Sequence, residues 1–318
     1  MGKLVLRRLV YGAITLLILV TGIFFSQALL SGDIANAALG REASPEAIAA
    51  VREKFGLDQP LVIRYGIWLW GLLHGDIGTS LATGQPISVI AGSRLGNTFF
   101  LATYAAILGI PTALVLGLLG ALYRNSLLDR VMNSFSLAAI SIPDFLVAYM
   151  LILAFSILMP VFPSISTLDT GAPLSTRLHV TFLPAFTLSL FVMAHTLRMT
   201  RAAVIDILSH QYIEMANLKG LSRRRIVLKH ALPNATAPII NVICFNLAYL
   251  VLGVVVIEVV FAYPGLGGLL VDSVTRRDIP LVQAACLCFA ATFLVLNLVA
   301  DICALLSNPA LRGANGRS

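Results

Sequence analysis

Six stretches, residues 9–30, 98–122, 132–160, 182–204, 236–261 and 281–306, are apolar over a length that crosses the ~30 Å hydrocarbon core of a bilayer as a helix. No other feature narrows the fold so far. Inside a bilayer every backbone N–H and C=O must find its partner within the protein, so segments of this length fold as helices. The expected class is an all-α polytopic membrane protein with about six transmembrane helices. Composition agrees, with 58% of residues hydrophobic and 12% charged, about half the charged share of a soluble domain.

Lys and Arg set the orientation. With the N-terminus inside, the inner segments 1–8, 123–131, 198–235 and 307–318 hold 14 of the 22 basic residues. Five of the other eight lie in the long segment 31–97, where the rule counts least. Both termini are expected in the cytoplasm. The net charge of +7 does not point to nucleic acid. The basic residues cluster beside the spans, and no aromatic stacking platform is interleaved with them. The lipid bilayer is the implied partner. The first span is read as uncleaved, because its run is longer than a signal-peptide core and no Ala-x-Ala follows directly. Cys244, Cys286, Cys288 and Cys303 fall inside spans, without a CxxC pair or a His/Cys ligand spacing. They read as small apolar residues, with neither a disulfide framework nor a metal site indicated.

Residues 31–97 form the one sizeable segment outside the spans. Ser44, Pro45 and Glu46 open a capped amphipathic helix ending near Gly56. Gly75-Asp76-Ile77-Gly78-Thr79-Ser80 suggests tight turns. Tyr65, Trp68 and Trp70 either line an external vestibule or sit at the membrane interface, and the second is favoured. In the third span, Ser141-Ile142-Pro143-Asp144 combines a proline kink with an ionisable side chain. Asp144 is a pathway candidate by that placement; the alternative is a paired or water-facing acid at the kink. Asn246, Gln283, Asn297 and Asp301 face a pore or hold helices together, and the second is favoured. His195 reads as packed or water-facing rather than as a ligand.

Residues 214–233 are a basic island between spans four and five. Lys219, Arg223, Arg224, Arg225, Lys229 and His230 stand against one acid, Glu214. Span four is expected to stay helical through Asp206 and Leu208 to about Lys219. Ile205, Leu208, Tyr212, Met215 and Ala216 would form one apolar face. Gly220 breaks that helix, Ser222 caps a second one over 223–232, and Pro233 with Pro238 marks the return to span five. A loop that only sets topology on anionic lipid needs charge alone. A Gly and a Leu-Pro at a fixed distance point instead to a helix that docks in a groove of another protein.

Glu214-x-Ala216-x-x-x-Gly220, nine residues, then His230-Ala231-Leu232-Pro233 resembles the EAA loop of ABC importer permeases. That pattern is EAA, three residues, Gly, nine residues, then Ile-x-Leu-Pro; here Met215 replaces the middle Ala and His230 the Ile. Leu57-Asp58-Gln59-Pro60-Leu61, the Gly75 to Ser80 turn, Arg198-Met199-Thr200-Arg201-Ala202, Lys219-Gly220-Leu221-Ser222, Glu258 to Gly267 and Arg277-Asp278-Ile279-Pro280 are similar to the peptide/nickel branch. Asn217-Leu218 and Asn308-Pro309 depart from it.

The resemblance implies a type I ABC importer permease fold. Residues 1–97 would be an N-terminal span plus external segment, 98–306 a five-helix permease domain with a coupling loop at 206–233, and 307–318 a cytoplasmic tail. It implies a subunit that translocates di- or oligopeptides, or a related solute such as nickel or glutathione, delivered by an external binding protein. The partners would be a second, usually non-identical permease and two cytoplasmic ATPases in a bacterial inner membrane. ATP and Mg belong to those ATPases, and this chain would bind no cofactor. Glu214, Ala216, Gly220, His230, Leu232 and Pro233 would make the ATPase contact. Asp144, Asn246, Glu258, Pro264, Gly265, Gly267 and Asp278 are candidates for the pathway or outer gate. Glu258 and Asp278 meet a cationic substrate or pair with Arg276 and Arg277, the pairing being favoured. Tyr263-Pro264-Gly265-Leu266-Gly267 lacks the Lys-Ser/Thr of a phosphate loop, which argues against nucleotide. An intramembrane enzyme built on Asp144, Asp301 and His195 lacks an HExxH or GxGD pattern. A scaffold without transport activity is the third class.

Overall fold

The computed structural model describes residues 2–30, 44–54, 56, 58–167 and 171–307; Leu57, Asn308-Pro309 and the rest of the tail lie outside them. The described helices are α1 (Gly2–Leu30), α2 (Pro45–Lys54), α3 (Leu61–Leu73), α4 (Ile87–Leu122), α5 (Leu127–Ser141), α6 (Asp144–Ile152), α7 (Leu174–Val180), α8 (Phe182–Leu208), α9 (Gln211–Leu218), α10 (Leu232–Val260), α11 (Leu266–Thr275) and α12 (Ile279–Ser307). Wide π-helical turns extend α6 over Leu153–Leu158. A short helix, Arg223–Arg225, runs through similar turns at Ile226–Ala231 into α10. Among the described residues, strand-like pairing is confined to a bridge between Thr79 and Pro86.

Among the described residues, five helices are long and apolar enough to cross a membrane: α1, α4, α8, α10 with its lead-in, and α12. The sixth expected span, 132–160, is not one helix. It is α5 and α6 with its extension, bent by 103°. The cause is Pro143. It has no N–H to donate, and its ring forces the preceding residue out of the helical region. Ile142 accordingly sits at φ −89°, ψ 129°. Asp144 therefore opens a helix instead of interrupting one.

The chain divides into two compact units, one of residues 1–9, 99–263 and 292–318, the other of 10–98 and 264–291. In the first, α8 is the central helix. Its buried residues include the small or hydroxyl-bearing Ala185, Thr187, Ser189, Ala194, Thr196 and Thr200, beside Leu183, Leu188, Leu197 and Val204. Lipid tails are as apolar as any side chain, so spans associate through close backbone approach and interhelical hydrogen bonds. Both are present. A Cβ on Gly109 would lie 2.9 Å from the Ser189 carbonyl oxygen, and one on Gly117 2.9 Å from that of Leu197. From α10, the buried Asn246 donates its amide to Thr196 Oγ1 at 2.8 Å. Arg8 and Asp301 form an ion pair between the first turns of α1 and the end of α12. Asn246 and Asp301 thus each bond a residue of another helix.

In the second unit, an aromatic cluster joins α1 to α3. Phe24 lies 5.3 Å from Tyr65 and 5.4 Å from Trp68 between ring centroids. The Tyr65 hydroxyl bonds Thr21 Oγ1 at 2.6 Å. Helix α2 takes the expected position and ends before Gly56, whose φ is +57°. The opposite side of α3 is exposed, including Val62, Ile67, Trp70 and Leu73. An apolar helix fixed at the last turn of a span presents such a face to the interfacial zone of a bilayer.

Gly109→Ala should destabilise the protein by about 1–3 kcal/mol, since the added methyl has backbone to displace. Gly96→Ala, where a Cβ meets nothing within 4 Å, should be neutral or gain up to about 1 kcal/mol of helix propensity. Thermal midpoints of the two variants in one detergent check the contrast.

Candidate functional site

The loop between α8 and α10 is built by three local events. Helix α8 ends at Leu208 because polar side chains compete for its last carbonyls. The Asp206 carbonyl accepts from the Ser209 amide at 3.0 Å, the Ser209 hydroxyl at 2.6 Å and His210 Nδ1 at 3.1 Å. His210 is then extended, at φ −76°, ψ 147°. This break corrects the expectation of an unbroken helix to Lys219. It also splits the expected apolar face. Ile213 and Ala216 turn inward to a cluster with Ile226, flanked by Leu208 and Leu221. Tyr212 and Met215 turn outward, 44% and 59% exposed.

The second event is the stop at Gly220. The Leu221 amide donates to the Ala216 carbonyl at 3.3 Å and the Gly220 amide to that of Asn217 at 2.9 Å. These are the paired bonds of a Schellman ending, which needs a left-handed residue at the turn. Gly220 supplies it at φ +72°. Leu221, next in the chain, packs on the cluster that contains Ala216.

The third event is the restart. Ser222 has the backbone of an N-cap, φ −64°, ψ 143°, but its hydroxyl makes no capping bond. The expected helix 223–232 does not end at Leu232-Pro233; it passes through the wide turns Ile226–Ala231 directly into α10. Such turns loosen the backbone ahead of a proline whose ring would crowd a regular one. Val227, Ala231, Ala235 and Ile239 form one buried stripe that meets Val204 and Ala121. Asn234 donates to the Tyr212 hydroxyl at 3.1 Å and to the His230 carbonyl at 2.7 Å, tying α9 to the start of α10. The outer side of α9 is left with Tyr212, Met215 and Leu218, the last 77% exposed. Glu214, Lys219 and the arginines 223–225 are exposed around them.

Beneath the loop lies a bonded pair that sequence reasoning missed. Arg201 grips Asp129 with Nε at 2.6 Å and a terminal nitrogen at 2.9 Å. Asp129 is buried, accepts a further bond from the Asn125 amide, and sends its own amide to Ser126 Oγ. Ser126-Leu127-Leu128-Asp129 has the spacing of a capping box. That was the available signal for Asp129.

The pathway candidates do not share one environment. Asp144 is half-exposed at the first turn of α6. Asn246 donates to Thr196 of the neighbouring helix. Glu258 is fully buried near Tyr263. Burial pushes the Tyr263 phenol well up from its ordinary value, and the Glu258 charge adds to the shift. In the second unit, Gly265 and Gly267 are buried. Asn97 donates to the Pro264 carbonyl at 2.9 Å, and the Leu266 amide donates to Thr98 Oγ1 at 2.8 Å. Asp278 is 1% exposed. Its carboxylate accepts from the Ser80 hydroxyl and from the amides of Leu81 at 3.1 Å and Ala82 at 3.2 Å. Arg276 and Arg277 point to solvent and do not pair with it, against expectation. Three donors of the 79–86 turn satisfy the acid without a cation. His195 packs beside Phe245, at 6.4 Å. Among the described residues no cluster of His, Cys, Asp or Glu is arranged to hold a metal ion.

Comparison with known proteins places this geometry. Residues 109–313 match the family model for the binding-protein-dependent transport system inner membrane component, and residues 1–93 match its N-terminal companion. A putative peptide transport system permease protein of Brucella abortus (strain 2308) is 36% identical over 313 residues, spanning 98% of this chain and 99% of that protein. The glutathione transport system permease protein GsiC of Salmonella choleraesuis (strain SC-B67) is 37% identical over 308 residues, spanning 97% and 98%. An inward-facing structure of the MetNI methionine ABC transporter has a chain that superposes with a TM-score of 0.52 at 18% identity, covering 72% of this chain and 97% of that one. At that identity the likeness is one of fold, the type I importer permease.

Asp129→Ala should cost about 2–4 kcal/mol by stranding the Arg201 guanidinium. Adding Arg201→Ala should cost little more, because the pair is already broken. A double-mutant cycle on unfolding in bicelles measures the coupling.

Proposed function

The chain belongs to the family of binding-protein-dependent transport system inner membrane components, a multi-pass fold, and on that premise we propose that it is the permease subunit of an ATP-driven importer of short peptides or a related small solute. An external binding protein delivers the solute. A second, non-identical permease completes the pathway, and two cytoplasmic ATPases hydrolyse ATP with Mg. This chain transmits motion and performs no catalysis. The two full-length relatives, named for peptide and for glutathione, support this substrate range.

The observation that carries the proposal is the form of the loop. Helix α9 exposes Tyr212, Met215 and Leu218 at helical spacing while its other side is packed on its own unit. That is the arrangement of a helix seated in a groove of a partner. The arm beyond Gly220 is continuous with a membrane span, so a displacement of α9 has a stiff path to α10. Glu214 and Lys219 rim the contact, Ala216 lets α9 sit close to its own unit, and His230 carries the carbonyl that holds Asn234. Leu232 and Pro233 lie where the lead-in meets the span. The ion pair of Arg8 with Asp301 joins the first and last spans at their terminal ends, which supports both termini lying on one side, the cytoplasmic one. Asp144 retains the pathway reading. Burial and bonding favour a framework role for Asn246, Glu258, Pro264, Gly265, Gly267 and Asp278.

Met215→Asp combined with Leu218→Asp should leave the thermal midpoint of the permease unchanged and weaken co-purification of the ATPases about tenfold or more. Gly220→Val should lose peptide uptake in cells, since a side chain at φ +72° costs about 1–2 kcal/mol and shifts the turn. Uptake and ATPase capture that both survive these changes would remove the coupling role. Competition of labelled dipeptide uptake by glutathione separates the two substrate readings.

A further inference from the structure

The second unit holds an open cleft of about 480 Å³, within the size range of small-molecule sites. Phe24 and Trp68 form its apolar wall, and Arg64, Gln59, Glu53 and Gln283 bring polar groups to it. Two of these are out of balance. Gln283 is 94% buried, since only 6% of it is exposed. Yet among the described residues its amide has no hydrogen-bond partner, and the side chain lines the cavity. The amide opens onto the cavity with its bonding capacity free for an occupant. Arg64 is half-buried and has no anionic partner among the described residues. Burial lowers its pKa from the ordinary value, as expected of a cation that has lost water without gaining an anion.

A guanidinium is a planar fork that matches a carboxylate bidentately. An amide beside it supplies one more donor, and an aromatic wall accepts an apolar body. We propose that this cavity binds a small organic carboxylate with an apolar body, its carboxylate on Arg64, a polar atom on the Gln283 amide, and its apolar part against Phe24 and Trp68. Glu53, on the same lining, disfavours a second negative charge on the ligand and selects against dianions. The site is separate from the loop that meets the ATPases and lies in the unit that holds the external segment.

The two tryptophans of the chain, Trp68 and Trp70, make the test direct. Trp68 lines the cavity and Trp70 does not, so Trp70→Phe leaves one reporter at the site. The full chain with this change, in phosphatidylcholine nanodiscs, is titrated with N-acetyl-leucine and, separately, with N-acetyl-leucinamide. The acid should give a saturable change in Trp68 emission, and the amide should bind about tenfold or more weakly. Arg64→Gln should abolish the preference for the acid. Glu53→Gln, on an exposed position of α2, should strengthen acid binding roughly two- to fivefold, a readout that survives if Arg64→Gln misfolds. Equal response to acid and amide, no saturation, or a preference unchanged in both variants overturns the proposal. So does loss of the acid response in phosphatidylglycerol nanodiscs with the same emission change from lipid alone, which would make the occupant a lipid headgroup. Transport does not enter the measurement, so failure here leaves the importer reading intact.

Discussion

Helix α8 is approached at backbone contact where α4 carries no side chain. Gly109 and Gly117 on α4 supply that approach, and hydroxyls and small residues on α8 receive it. In water a bulky apolar interface would do the same work. In lipid it would gain nothing over contact with acyl chains, so distance and hydrogen bonds decide. The Asn246 to Thr196 bond and the Asp129 to Arg201 pair follow the same rule on other faces of α8. A helix held this way has few alternative positions, and the loop that leaves its end inherits that definition.

The loop then combines two opposite properties. Its inner side is buried with Ile213, Ala216 and Ile226. Its outer side keeps a methionine, a leucine and a tyrosine in solvent. A free-standing soluble protein would tolerate such residues singly, and three at helical spacing on eight residues of helix make a patch. The Schellman ending at Gly220 separates the patch from the arm that continues into the membrane. The exposed patch and the arm that runs into the span are therefore divided between two helices joined at one glycine.

Much of this was legible from residues alone, for reasons that differ by element. Spans were readable because apolar length is a direct consequence of bilayer thickness. Gly220 was readable because few residues accept a left-handed turn. The bend at Pro143 was signposted, though its size was not, since it depends on how α5 and α6 pack. The break at Ser209-His210 was hidden: nothing in those two residues forbids a helix, and the outcome rests on competition for the Asp206 carbonyl. Asp129 was overlooked because a charge beside a span reads as topology until its partner, 72 residues away, is seen. Asp278 was misjudged for the same reason. Two arginines precede it in sequence, and three of its donors come from residues about 200 positions earlier.

That last contact also bears on the order in which the molecule can be made. Ser80 and Asp278 are 198 positions apart, and loop closure over such a distance comes late in folding. As the chain is synthesised, the 79–86 turn emerges long before the acid that receives its hydroxyl and amides. Until α11 has been delivered, those donors have only water to bond. The 79–86 turn is thus completed only once Asp278 has been made, and a chain truncated before Asp278 would lack the acceptor of those three bonds.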